Sequence, residues 1–316
     1  MFLLHSFNFK LYLVEELRSK KREIQLLNYV LSKYTKYDTR SVKPFKETPY
    51  KKGNYSILGV TDTEIFKLIA GKRYVNNFEY FDRASAEKFI KDYKIYAKQL
   101  IDAKIKIPKL ISIEKIEISK NNYVILEVQE LIKKKDIFDL LIQKKNKKNN
   151  QQILHEFHLI LNALIKINNY AKKVKYYKPS IDTKPLNFLE GGIYVDLTPA
   201  KIKHGQEYNI HKKIVYKDEY SSVKLGWFYN TTQSFIYFIC NFGMLRPDLI
   251  KEFLEIIFNE PKINAKKKSS IRQALLDEHL QTSLLYILQN FYKINYRAIK
   301  INAIPLIYKK FINFFK

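Results

Sequence analysis

Ser180-Ile-Asp182-Thr-Lys184-Pro-Leu-Asn187-Phe-Leu-Glu190-Gly191-Gly192-Ile-Tyr194-Val-Asp196-Leu-Thr198-Pro199 is the stretch on which the reading of this chain turns. Paired glycines supply the positive φ values of a tight turn, and Ile193-Tyr194-Val195 is a strongly β-favouring triplet. The stretch therefore predicts two short strands joined at Glu190-Gly191-Gly192. Such a hairpin brings Asp182, Asn187 and Asp196 together. Phosphoryl transfer needs a set of this kind: one carboxylate to orient the attacking hydroxyl, and an amide oxygen with a second carboxylate to hold magnesium.

These spacings resemble the protein-kinase-like superfamily, in particular the aminoglycoside and other small-molecule kinases. Asp182-Thr-Lys184-Pro-Leu-Asn187 matches the catalytic-loop pattern Asp-x-Lys-Pro-x-Asn, and Val195-Asp196-Leu-Thr stands where the Asp-Phe-Gly metal motif would stand. Two departures stand out. Ser180 replaces the usual loop histidine, a structural support, and Leu197-Thr198 replaces Phe-Gly; neither removes a metal ligand. The resemblance implies ATP and Mg²⁺ as cofactors. It gives Asp182 the substrate hydroxyl proton, Lys184 the γ-phosphate in flight, and Asn187 and Asp196 the metal.

Composition bounds the alternatives. The 316 residues, 46% of them hydrophobic, suffice for a sizeable core and two lobes. No run of about 18 apolar residues predicts a spanning helix, and the first residues do not read as a signal peptide. A lone cysteine, Cys240, sits in the apolar run Phe235 to Phe242, where a buried thiol in a reducing, cytoplasmic setting is expected. Against 31 Asp and Glu stand 57 Lys and Arg, a formal +26, which favours anionic partners: phosphorylated substrates, the inner face of an anionic membrane, or nucleic acid.

Upstream, Leu11 to Lys33 has apolar residues at helical spacing and predicts one or two helices packed on a lobe. Thr35 to Gly53, with Pro44 and Pro49, reads as a connector. From Tyr55 to Phe78 three strands are expected, with turns near Thr61-Asp62 and Gly71-Lys72. The family places a phosphate-holding lysine on its third strand, and Tyr74 to Phe78 offers only Asn76 and Asn77. Lys67, on the strand before, is the expected substitute, because an adjacent strand can direct a long side chain into the same site. A helix capped by Asp82 or Ser85 follows to about Asp102, with Asp92 where the family's helix carboxylate belongs. Asn122 to Ile132 resembles the last small-lobe strand running into the hinge, where adenine would be read by backbone groups of Glu127, Val128 and Gln129.

Beyond the hinge, Ile137 to Ile142 is a short helix and Lys144 to Asn150 a solvated loop. Gln151 to Tyr170 is an amphipathic helix, whose His155 and His158 are ordinary surface histidines rather than a metal pair. Thr231 to Leu245, Pro247 to Phe258 and Ser269 to Tyr292 predict further helices. Tyr296 to Lys316, interrupted by Pro305, predicts a terminal helix packed on the large lobe, with a basic membrane-facing surface as the other reading.

The expected fold is α+β and bilobal: residues 1–53 a helical extension and connector, 54–130 a small antiparallel-sheet lobe, 131–316 a helical lobe carrying the hairpin. The expected activity is ATP-dependent phosphorylation of a hydroxyl on a small molecule, sugar or lipid-linked glycan, since no activation segment ending in Ala-Pro-Glu follows Pro199. Two other classes compete. One is a catalytically impaired module binding a polyanion or protein, supported by the missing third-strand lysine. The other is an RNA-associated protein, supported only by charge and by 24 tyrosines.

Overall fold

A computed structural model describes residues 25–32, 43–44, 56–69, 80–143, 147–175, 178–197, 202–204, 207–208, 231–277, 284–286, 288–289, 292 and 303–316. The fold is α+β and divides into two compact units. Described residues up to Lys91 and from Lys109 to Ile132 form a sheet unit. Those from Asp92 to Pro108 and from Lys133 onward form a helical unit.

In the sheet unit, five antiparallel strands lie in the order β1 (Lys43–Pro44), β2 (Ser56–Val60), β3 (Glu64–Ile69), β5 (Asn122–Glu130), β4 (Leu110–Ser119). Alternation decides which side chains face which way. Phe66 and Leu68 on β3 with Val124, Leu126 and Val128 on β5 form one buried face, covered by Leu27, Val30 and Leu31 of a helix at 25–32 (α1). Lys67, Glu127 and Gln129 alternate with them and belong to the other face. The stretch expected to be wholly connector contains β1, which pairs Lys43 with Val60 and Pro44 with Gly59. Proline tolerates this position because an edge strand does not need every N–H. Counted from β1 among the described residues, the strand carrying Lys67 is the third in chain order. The strand expected at Tyr74 to Phe78 lies outside the described residues, as does the helical pattern before residue 25.

Helix α2 (Arg83–Asp102) begins where Asp82 caps it: the Asp82 carboxylate accepts from the Ser85 N–H at 2.8 Å and the Ser85 hydroxyl at 2.9 Å. In the helical unit, α3 (Ile137–Ile142) leads to α4 (Lys147–Lys173). The expected loop at Lys144 to Asn150 is thus shortened. Residues from Lys147 on form the first turn of α4, where Asn150 accepts from the buried Arg246 guanidinium at 2.6 Å. Helix α5 (Thr231–Leu245) is buried from Ser234 to Met244, as expected of a helix apolar on all sides. Phe157 of α4 stacks on Phe238 of α5 and on Phe253 of α6 (Ile250–Asn259), both at 4.4 Å between centroids. Burial pushes the Cys240 thiol far above the ordinary range, so it is an inert core group. After α7 (Ala265–Leu276), the terminal helix α8 (Ala303–Phe315) buries Ile307 and Phe311, and Phe314 and Phe315 meet Phe258 of α6. Among the described residues no helix is long and apolar enough to cross a membrane.

Candidate active site

The quoted stretch folds as its composition dictates. A strand of two residues, β6 (Lys178–Pro179), enters an extended segment through Asp182. Pro185–Asn187 then makes one 3₁₀ turn, and β7 (Phe188–Leu189) and β8 (Ile193–Tyr194) pair across the hairpin. Gly191 at φ +85° and Gly192 at φ +66° make the turn, and a Cβ on Gly192 would meet the Leu159 Cβ at 3.0 Å. The buried Glu156 carboxylate on α4 caps the turn: it accepts from the Gly191 N–H at 2.9 Å and from the Gly192 N–H at 3.2 Å. Backbone bonds from Glu190 to the Lys135 carbonyl and from Tyr194 to the Lys106 carbonyl tie both strands to the rest of the helical unit.

Asp182 is buried and held on several sides. Its N–H donates to the Tyr194 hydroxyl at 3.2 Å, and the Tyr96 hydroxyl donates to the Ser180 carbonyl at 2.6 Å. Tyr96, on α2, and Tyr194, on β8, also bond to one another through their hydroxyls. Around Ser180 and Asp182, tyrosines therefore supply the support. The Asp182 carboxylate accepts from the Lys184 N–H at 3.2 Å, and the Lys184 ammonium lies 3.4 Å from its other oxygen. Tyr237, one turn before Asn241 on α5, faces the same carboxylate. Burial first, then the Asp182 charge, push the Tyr237 hydroxyl well above the usual tyrosine range. Tyr292 extends this buried chain by donating to the Asn241 side-chain oxygen at 2.6 Å.

Asp196 and Asn187 complete the group. Burial, then the charges of Asp196 and Asp182, hold the Tyr194 hydroxyl far above its ordinary pKa. Val195 N–H donates to the Asn187 carbonyl at 2.9 Å, and the Asn187 side-chain amide donates to the Asp182 carbonyl at 3.2 Å. With its amide nitrogen so engaged, Asn187 turns its amide oxygen the other way. An amide oxygen from Asn187 and the half-buried Asp196 carboxylate would offer all-oxygen donors, the kind that suits Mg²⁺ completed by water and phosphate rather than a cage of protein ligands. Among the described residues no cluster of three His, Cys, Asp or Glu has metal-binding geometry. His158 instead pairs with Glu260 at 3.4 Å.

In the sheet unit, Lys67 lies directly opposite Glu127, with Nζ 3.7 Å from Oε2. The expectation that backbone groups of Glu127, Val128 and Gln129 read adenine is corrected here. All three lie within β5 and pair on both sides, Glu127 with Lys67 and Ile113, Val128 with Phe66 and Ser112, Gln129 with Ile65 and Leu110. Their donors and acceptors are taken up by the ladder. It is the Glu127 side chain that is engaged, accepting from the Gln129 side-chain amide. Asp92, on α2, is 1% exposed, and its Oδ2 has no hydrogen-bond partner.

No protein-family model matches the sequence, and no curated protein does. Among solved structures, a MAP kinase from Leishmania major is similar at 9% identity and a TM-score of 0.39, over 92% of this chain and 82% of that one. WbdD aligns at 12% identity and a TM-score of 0.38 over 84% of this chain, which spans 50% of the WbdD chain. The PknI kinase domain of Mycobacterium tuberculosis aligns at 7% identity and a TM-score of 0.33, covering 88% of this chain and 96% of that domain. Likeness at this level adds nothing to the geometry of the chain's own residues.

Sequence reasoning missed Tyr96, Tyr194, Tyr237 and Glu156. Only Tyr194 carried a usable signal: in a strand it shares a face with Asp196, two residues on.

Proposed function

We propose that this chain is an ATP- and Mg²⁺-dependent phosphotransferase of protein-kinase-like type, acting on a hydroxyl of a small molecule, sugar or lipid-linked glycan. The observation that supports the reading is that Asn187 bonds the Asp182 carbonyl, that the charges of Asp182 and Asp196 both raise the Tyr194 hydroxyl, and that the Lys184 ammonium lies 3.4 Å from the Asp182 carboxylate. In this reading Asp182 orients the acceptor hydroxyl and takes its proton, the acceptor oxygen bonds to the γ-phosphorus, and the bond between that phosphorus and the β–γ bridging oxygen breaks to release ADP. Lys184 would offset charge on the transferred group with its ammonium. Asn187 and Asp196 would hold Mg²⁺, which supplies positive charge against the phosphate oxygens. Lys67 would hold the α- and β-phosphates. Against the reading as an impaired module, this proposal sets Lys67, which stands on the third strand in chain order among the described residues.

Incorporation of labelled γ-phosphate into a cell extract tests the reading, with nucleotide binding measured in parallel with and without Mg²⁺. Asp196→Ala should weaken Mg²⁺-dependent ATP binding and abolish transfer, whereas Asp182→Asn should keep ATP and lose turnover by a factor on the order of 10²–10⁴. A protein that binds no nucleotide under either condition, yet holds anionic partners in a salt-sensitive way, is not a kinase.

A further inference from the structure

Glu127 is a carboxylate in an unusual place. It sits on the inner strand β5, between β3 and β4, with its side chain 0% exposed, and the Lys67 side chain beside it is 15% exposed. A charge taken out of water at this cost persists when a cation and hydrogen bonds compensate it. Both are present: Gln129 donates to Glu127 Oε1, and the Lys67 ammonium lies 3.7 Å from Oε2. Directly opposed residues of neighbouring antiparallel strands have Cβ atoms about 4.5–5.5 Å apart, so a long lysine and a glutamate can run side by side.

Resting on the phosphotransferase reading, we propose that Glu127 is the positioning residue for Lys67, taking from inside the sheet the anchoring part that the family resemblance gives to a carboxylate on the small-lobe helix. A free lysine side chain has high rotamer entropy, which is lost when it binds phosphate. A lysine already steered by a fixed carboxylate loses less. The 3.7 Å separation is longer than a tight charge-assisted bond of about 2.7–2.9 Å. The ammonium is thus oriented by Glu127 while its three donors remain available for phosphate oxygens. Phe66 and Leu68 flank Lys67 and are buried on the opposite face, which locks the strand against rotation. Placement of the lysine follows from the β3–β5 register and does not wait for a helix to move.

Calorimetric binding of ATP, ADP and adenosine to the full chain in the presence of Mg²⁺, for wild type, Glu127→Gln, Lys67→Met and the double variant, decides the matter. Glu127→Gln should weaken ATP and ADP roughly tenfold, the scale of one hydrogen bond to a charged group, and leave adenosine unchanged. The double variant should bind ATP no more weakly than Lys67→Met alone. The inference is overturned if Glu127→Gln binds ATP like wild type, if it loses adenosine in proportion, or if the two losses multiply. In those cases wild-type binding and transfer leave the phosphotransferase reading standing, whereas a wild type that binds no nucleotide overturns both. Should Glu127→Gln fail to fold, Glu127→Asp keeps the charge and withdraws it by one methylene; a smaller loss confined to phosphate-bearing ligands supports the inference, and no loss overturns it.

Discussion

Replacing Tyr194 by Phe removes one oxygen atom and keeps the ring that tilts against Phe188 at 5.1 Å between centroids, so no cavity is opened. What is lost is the acceptor for the Asp182 N–H at 3.2 Å and the bond to the Tyr96 hydroxyl. Asp182 is buried, so water cannot replace that acceptor. A buried donor left unsatisfied costs about 1–3 kcal/mol, which in a chain of this size lowers Tm by about 1.5–4.5 °C. The catalytic consequence should exceed the thermodynamic one. Displacing the carboxylate by a fraction of an ångström should cut kcat by a factor on the order of 10 to 100. On the proposed reading the KM for ATP should hold, because none of the proposed nucleotide ligands is replaced. A pH signature accompanies this. The folded Tyr194 hydroxyl keeps its proton at a pH where an unfolded tyrosine, with a pKa of about 10, loses it. Its contribution to stability is therefore complete below about pH 10 and declines as the pH rises further, a slope that the Phe variant should show less steeply. Thermal melts across pH 7–11 and steady-state kinetics would measure both. A variant that melts early but turns over like wild type would show that the hydroxyl serves stability alone, and the catalytic argument would be refuted.

Glu156→Ala strips the cap from the Gly191-Gly192 turn and should cost about 2–4 kcal/mol by urea unfolding, with an accompanying loss of transfer; unaltered stability would mean that the turn holds itself. For Asp82→Ala the expected loss is about 1 kcal/mol at neutral pH. Hydrogen bonds from Ser85 depress the folded Asp82 pKa, so the wild-type advantage should be full above about pH 4 and vanish as the pH falls further, which acid titration of the two proteins would reveal. Phe157→Ala removes the ring shared by Phe238, Phe242 and Phe253 and should destabilise by about 3–5 kcal/mol; a cost near 1 kcal/mol would show that the site collapses around the gap.

Where local chemistry decides conformation, reading the sequence was enough. Gly191 and Gly192 adopt positive φ in the turn that was expected of them, and α5 runs from Thr231 to Leu245 as its pattern predicts. Asp182, Asn187 and Asp196 could be read as a candidate group because only a few residues and one hairpin separate them. The small sheet was harder. A strand of two residues at Lys43–Pro44 carries no periodicity, so nothing in the sequence marked it off from the connector around it. The end of β5 was misjudged for a related reason: that residues 127–129 pair on both sides depends on partners more than ten residues away in sequence.

By itself, then, the sequence determined the elements whose turns, caps and apolar periods are encoded within a few residues, and the short-range constellation that one hairpin can gather. Only the tertiary structure decided that Glu127 is buried against Lys67, that Tyr96, Tyr194 and Tyr237 converge on the Asp182 segment, and that Glu156 caps a turn 35 residues away. The physical reason is common to all of them. A buried polar group must find its partner wherever packing brings one, and that partner leaves no periodic mark on the chain that supplies it.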